Sequence, residues 1–169
     1  MVWGLRRRRR REKTSPRIRL LELAVAARYA ASRMGLLANR LRRAYVRTRD
    51  PSLESMLRNV LALQAVFEIM AVRLETLAEV GAITSDTLSL MRDVIAEAKK
   101  AYGELGPTVT SVLSELDNMV AAVAAESGVE LDTGGAQAEA RIGDEASRIL
   151  EEARMIAEER LNELNQSQQ

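Results

Sequence analysis

From Leu20 onward, apolar side chains recur at alternating steps of three and four: Leu20, Leu23, Ala27, Ala30, Met34, Leu37, Leu41 and Ala44. That spacing is a heptad seam, with a and d positions on one side of a helix. Ser15 is placed to cap this helix and Pro16 to occupy its first turn. Asp50-Pro51-Ser52 interrupts the pattern, because proline disfavours helix in the residue before it and starts a new helix readily. The pattern then resumes over residues 52–80 with Leu53, Met56, Val60, Leu63, Phe67, Met70, Leu74 and Leu77. Two seams of about 30 residues, each about 45 Å long as helix, joined by so short a break predict a long antiparallel hairpin. The second helix is richer in apolar residues than one seam requires. Leu57, Leu61, Val66, Ile69, Val72 and Val80 lie off it, so a further helix or another molecule is expected to cover them.

Gly81 ends the hairpin, and Ser85 or Asp86 is expected to cap a third helix reaching about residue 105. Gly106-Pro107 stops that helix and starts a fourth, residues 107–126, with Val109, Val112, Leu113, Leu116, Met119 and Val120 on its apolar face. Residues 127–136, SGVELDTGGA, read as a flexible linker. A last amphipathic helix over about residues 137–164 collects Ile142, Ala146, Ile149, Ala153, Ile156, Leu161 and Leu164 on one side. The expected class is therefore all-α. Its parts are a basic arm (1–15), a helical core (16–126, with the hairpin at 16–80 and shorter helices at 85–126), the linker, and an acidic distal helix and tail (137–169).

Composition agrees with helix: Ala, Leu, Glu and Arg dominate, while nine Gly and three Pro are scattered over 169 residues. The chain has neither Cys nor His, which removes disulfides, thiol redox chemistry, the usual zinc ligands and the usual general base. No phosphate-cradling glycine loop or isolated carboxylate pair stands out, so no enzymatic activity, metal or cofactor is expected. The net charge of +1 hides a division. Residues 1–50 hold 16 basic and three acidic side chains, net +13, and residues 51–169 hold 9 basic and 21 acidic, net −12. The first part can meet an anionic surface, and the second can meet the first, within one molecule or between copies. No stretch reads as a signal or membrane-spanning segment, since residues 20–37 contain Glu22, Arg28 and Arg33. A cytoplasmic location is expected.

Two basic features can recognise anions. Trp3 and Leu5 precede Arg6, Arg7, Arg8, Arg9, Arg10 and Arg11. Tryptophan prefers the headgroup boundary of a bilayer, and each basic residue near an anionic leaflet contributes about 1 kcal/mol. The same run can bind nucleic-acid phosphates or remain a solvated arm. On the first helix, Arg19, Arg33, Arg40 and Arg47 share the g row beside the seam, and Arg28, Arg42 and Arg49 the b row. Glu54, Glu68 and Glu75 share one row of the second helix. With nine arginines and one glutamate, the first helix looks too lopsided for internal pairing, which favours a partner surface or neighbouring subunit.

The segment LALQAVFEIMAVRLETLAEVG at 61–81 resembles the second helix of archaeal ESCRT-III-like cell-division (Cdv) proteins, mainly through Arg73-Leu74-Glu75-Thr76 with Glu79 and Gly81. Gly106-Pro107 leading into LSELDNM at 113–119, and EASRILEEA at 145–153, follow in the family's order. The resemblance implies a basic hairpin, short helices, and a distal acidic helix that folds back in a closed form. It further implies an open form that polymerises on anionic membranes and reshapes or severs them in division or vesicle release, at the inner face of the cell membrane. On this reading Trp3, Leu5, Arg6 to Arg11, Arg19, Arg33, Arg40 and Arg47 meet the membrane. Leu57, Leu61, Phe67, Ile69, Arg73 and Glu75 lie at the polymer or hairpin interface. Partners would be anionic lipid, further copies, paralogous subunits and a disassembling AAA ATPase. The tail has no proline, and Arg160-Leu161-Asn162-Glu163-Leu164 matches only the end of the helical ATPase-binding motif, with Ala157 and Arg154 where leucine and an acid are usual. ATPase recruitment through a paralogue is therefore expected, with weak direct contact by Arg160, Leu161 and Leu164 as the other route. A nucleic-acid-binding helical protein and a coiled-coil adaptor are the alternatives.

Overall fold

The computed structural model describes residues 14–81, 83–131 and 136–169. Five α-helices make up the fold: α1 (Pro16–Thr48), α2 (Pro51–Val80), α3 (Ser85–Tyr102), α4 (Pro107–Ser127) and α5 (Ala136–Gln166), with a 3-10 turn at Gly103–Leu105 between α3 and α4. No strand occurs among the described residues. The architecture is the all-α, ESCRT-III-like arrangement expected from the sequence.

Local chemistry sets the helix ends. Ser15 Oγ accepts from the Ile18 N–H (3.3 Å) with Pro16 in the first turn. At the hairpin bend, Arg49 takes the left-handed conformation (φ 54°) and its N–H returns to Tyr45 O. Asp50 Oδ1 then accepts from Ser52 N at 2.8 Å and starts α2. The reversal thus takes two residues. Gly81 (φ 72°) closes α2, a conformation in which a side chain is strained.

The cap of α3 is Thr84, not Ser85 or Asp86. Its Oγ1 accepts from Thr87 N (3.2 Å) and lies 2.8 Å from the Thr87 hydroxyl. Thr87 is buried, so only a residue one step before the expected caps can satisfy both groups. Thr84→Ala is expected to lower stability by about 1–2 kcal/mol, read from the chemical-denaturation midpoint. A loss below experimental error would show that water replaces the cap.

The seam is present but drifts. Leu20, Leu23, Ala27, Ala30 and Met34 are buried as expected, whereas Leu37 and Leu41 are half-buried and Ala24, Ala31 and Ala38 join the core. A straight α-helix slips by about 20° per heptad against a 3.5-residue repeat. By Ala38 the e row has therefore turned to where the a row stood at Leu20. On α2 the same slip brings in Ala71 and Ala78 and leaves Leu77 half-buried.

The hairpin has cover on two sides. α5 packs on α2 and α3, α4 packs on α1 and α3, and one hydrophobic core takes side chains from all five helices. Ion pairs Arg73–Glu145 and Arg58–Glu158 join late α2 to early α5 and early α2 to late α5, so α5 runs antiparallel to α2. After α4, Gly128 (φ 66°) reverses the chain, Val129 N–H bonds Ala124 O, and the Ser89 hydroxyl donates to Leu131 O (2.9 Å). Val129 and Leu131 rest against the core, so the expected linker is anchored up to residue 131. Residues 132–135 lie outside the described residues.

Candidate functional site

Two surfaces bring together the residues that the sequence singles out. The first is the face of α2 beneath α5. Leu57, Leu61 and Val66, surplus to the hairpin seam, are buried, and Ile69 is half-buried. Opposite them α5 contributes Ala146, Ile149, Leu150, Ala153, Ala157 and Leu161, all buried. Phe67 belongs to the core and is fully enclosed. Val72 and Val80 remain exposed at 53% and 75%, so the cover of α2 is incomplete.

Charged pairs flank this apolar strip with alternating sign. Arg73 Nη2 meets Glu145 Oε1 at 2.7 Å, Arg160 Nη2 meets Glu68 Oε2 at 2.7 Å, and Arg58 pairs with Glu158. All six side chains are about a third to a half exposed, so each pair contributes only about 0–1 kcal/mol. They set the register of α5, and the apolar strip supplies the attraction. Where α5 begins, Val72, Leu77, Leu90, Met91 and Ile142 line an open, mainly apolar groove of about 520 Å³ beside the Arg73–Glu145 pair. The residues of the ATPase-motif resemblance sit in the same interface. Arg160 is held by Glu68, Leu161 is buried, and Leu164 lines a groove with Leu57 and Leu61. In this conformation they face α2 rather than solvent.

The second surface is α1. Its arginine rail divides. Arg19 pairs with Glu22 and Glu126, Arg33 with Glu115, and Arg28 grips Glu75 through Nε and Nη2. The Arg28 hydrogen bonds hold the Glu75 carboxyl below its usual range, partly offset by desolvation, and those to Glu75 raise the Arg28 guanidinium. Three of the nine arginines from Arg17 to Arg49 are thus paired internally, contrary to the expectation from their number on one stretch. Apart from Glu22 on α1 itself, the partners come from the acidic half of the chain, on α2 and α4. Towards the hairpin bend the picture changes. Arg40, Arg42, Arg43 and Arg47 make no ion pair with the described residues, and Arg42, Arg43 and Arg47 line an open groove with Asn39, Val46 and Gln168. Arg49 stacks over the Tyr45 ring at 5.5 Å. Trp3, Leu5 and Arg6 to Arg11 lie outside the described residues.

Sequence reasoning did not single out Arg58, Glu68, Glu145 or Glu158 as partners across α2 and α5. Each is an ordinary solvated charge until the distal helix docks. Among the described residues no group of three or more acidic side chains is placed to hold a metal ion, and no helix is long and apolar enough to cross a membrane.

No family model and no solved structure matches the chain. Among curated proteins, it is 32% identical over 106 residues to Cell division protein B1 of Sulfolobus acidocaldarius. That stretch is 63% of this chain and 48% of the relative, so the chain spans about half the length of the curated protein it matches. The likeness is distant, and the relative's name is that of a cell-division protein.

Proposed function

We propose that the chain is a non-catalytic subunit of a polymer that assembles on anionic membranes and remodels them in cell division. The supporting observation is the pairing of an arginine surface without ion-pair partners among the described residues and an apolar interface under the last helix. α5 reaches α2 only after the segment following Leu131, and its removal would uncover Leu57, Leu61 and Val66 without breaking the α1–α2 hairpin. The distant likeness to Cell division protein B1 supports the process. The membrane, further copies, paralogues and an ATPase acting through a paralogue are the partners this reading requires, with the protein peripheral at the inner face of the cell membrane.

In this reading the basic arm and the free end of the α1 rail meet lipid headgroups, and the closed form seen here is the store from which polymer is drawn. Arg40, Arg42, Arg43 and Arg47 should together contribute a few kcal/mol to binding an anionic leaflet, at about 1 kcal/mol each. The quadruple change to Gln is expected to weaken sedimentation with phosphatidylserine-containing vesicles by about 100-fold or more at moderate salt, and removal of residues 1–13 to weaken it further. The wild-type chain should leave neutral phosphatidylcholine vesicles unbound. A steep salt dependence without preference for anionic vesicles over duplex DNA would favour the nucleic-acid alternative instead.

A further inference from the structure

The outward side of α1 is not the polar surface that a heptad hairpin ordinarily presents. Of the ten large apolar residues exposed among the described residues, six are on this one helix, which sets it apart from the scattered remainder. Val25, Tyr29 and Leu36 are 66%, 62% and 63% exposed, with Ile18 and Leu21 at 49% and 38%. At about 100° per residue these five fall within an arc of about 80°, pointing away from the buried seam. They run for about 27 Å along the helix. Ile18, Leu21, Val25 and Tyr29 line an open, mainly apolar groove with Met119 of α4, and Glu22 stands at its edge. The same arc continues towards the hairpin bend with exposed Arg40, Arg43 and Arg47. Glu22 is the one carboxylate on α1; it shares Arg19 with Glu126 of α4, and Glu115 of α4 pairs with Arg33 beside the same end.

We propose that this face is a lipid-inserting surface, with the Ile18 to Leu36 half entering the acyl boundary of an anionic bilayer while Arg40, Arg43 and Arg47 stay among the headgroups. The proposal rests on the membrane reading above and adds to it a mode of contact. Pure headgroup attraction needs only the arginines, whereas an apolar stripe of this length beside a cationic end is the pattern of a helix lying in the interface. Tyr29, apolar in body and polar at its tip, suits the same depth.

A second copy fits less well. The other exposed large apolar residues, Met56, Val72, Val80 and Met155, form no matching stripe. Pairing α1 with α1 in parallel would stack arginine on arginine. Antiparallel pairing would press the arginine end onto the neighbour's apolar end, where the nearby carboxylates Glu22, Glu126 and Glu115 are already engaged by Arg19 and Arg33. A bilayer offers hydrocarbon and anions at two depths, which answers both halves of the face at once.

The full-length chain contains no cysteine, so a single thiol can be placed cleanly. Val25→Cys and Leu36→Cys, each labelled with an environment-sensitive fluorophore, are compared with Val72→Cys and Met155→Cys on phosphatidylserine-containing vesicles carrying lipid-attached quenchers. Blue shift and quenching at 25 and 36 but not at 72 and 155 are expected. Val25→Glu is expected to weaken vesicle binding about tenfold or more, from loss of the apolar insertion and an added like charge. If the wild-type chain binds these vesicles while 25 and 36 stay in water, the inserting face is wrong and the membrane reading stands. If the wild-type chain does not bind, the membrane reading itself is overturned. A blue shift at 25 and 36 that grows with protein concentration in the absence of lipid would assign the face to a second copy and overturn the proposal.

Discussion

Reversing three charges on α5 in the full-length chain, Glu145→Arg with Glu158→Arg and Arg160→Glu, is expected to release the distal helix and turn a monomer into an assembling species. Each substitution replaces a cross-helix attraction with a repulsion at Arg73, Arg58 and Glu68. With exposed pairs contributing about 0–1 kcal/mol each, the three reversals together shift the closed form by about 2–4 kcal/mol. That is about a 30- to 800-fold change in the open-to-closed ratio. The apolar strip of α5 opposes release, but Leu57, Leu61 and Val66 are then covered only part of the time. Sedimentation over a concentration series should show higher-order species at concentrations where the wild type is monomeric. Adding Arg58→Glu, Arg73→Glu and Glu68→Arg on α2 restores attraction with opposite sign and should return the monomer. A triple variant that opens to proteases between residues 127 and 136 yet stays monomeric would show that the uncovered face is not an assembly surface. A variant whose α5 remains protected would show that register is set by apolar packing alone.

Phe67→Ala should be the most destabilising single substitution in the core. It is the one phenylalanine of the chain, it sits on the α2 seam, and it is fully buried. Removing the ring combines the lost transfer free energy with a cavity that five packed helices close only partly, a loss of about 3–5 kcal/mol. Against a total stability of about 5–15 kcal/mol for a domain of this kind, that leaves a marginal fold. Val80→Ala, at an exposed site on the same helix, is the control and should change stability by less than about 0.5 kcal/mol. The denaturation midpoints of the two variants give the comparison. A loss under about 1 kcal/mol for Phe67→Ala would mean that the hairpin repacks around Met34 and Met70, whose unbranched side chains fill gaps easily.

The parts of the molecule written in strong local signals were legible beforehand. Asp50-Pro51, Gly81 and Gly106-Pro107 punctuate the helices where their backbone chemistry demands it, and the steps of three and four placed Leu20 to Met34 and Val60 to Leu74 inward. Ala24, Ala31 and Ala38 were not legible as core. Alanine favours any helical position, and only the drift of a straight helix turns the e row inward by the third heptad. The surplus residues Leu57 and Leu61 announced that something covers α2, but not what, because the same side chains satisfy a folded-back helix or a neighbouring copy. The internal pairs of Arg28 and Arg33 depend on Glu75 and Glu115 arriving from other helices, which no spacing within α1 encodes. The outward apolar arc of α1 left a trace in the sequence at heptad positions b, c and f. It was obscured by the arginines interspersed with it.

The most direct test is electron microscopy of residues 1–126 and of the full-length chain, each mixed with anionic and with neutral vesicles at moderate salt. Without α5 the hairpin and its uncovered α2 face should form filaments or coated tubules on anionic vesicles only, while the full-length chain should do so sparsely. Bare vesicles of both kinds with residues 1–126, or filaments from the full-length chain alone, would contradict a membrane polymer restrained by its distal helix.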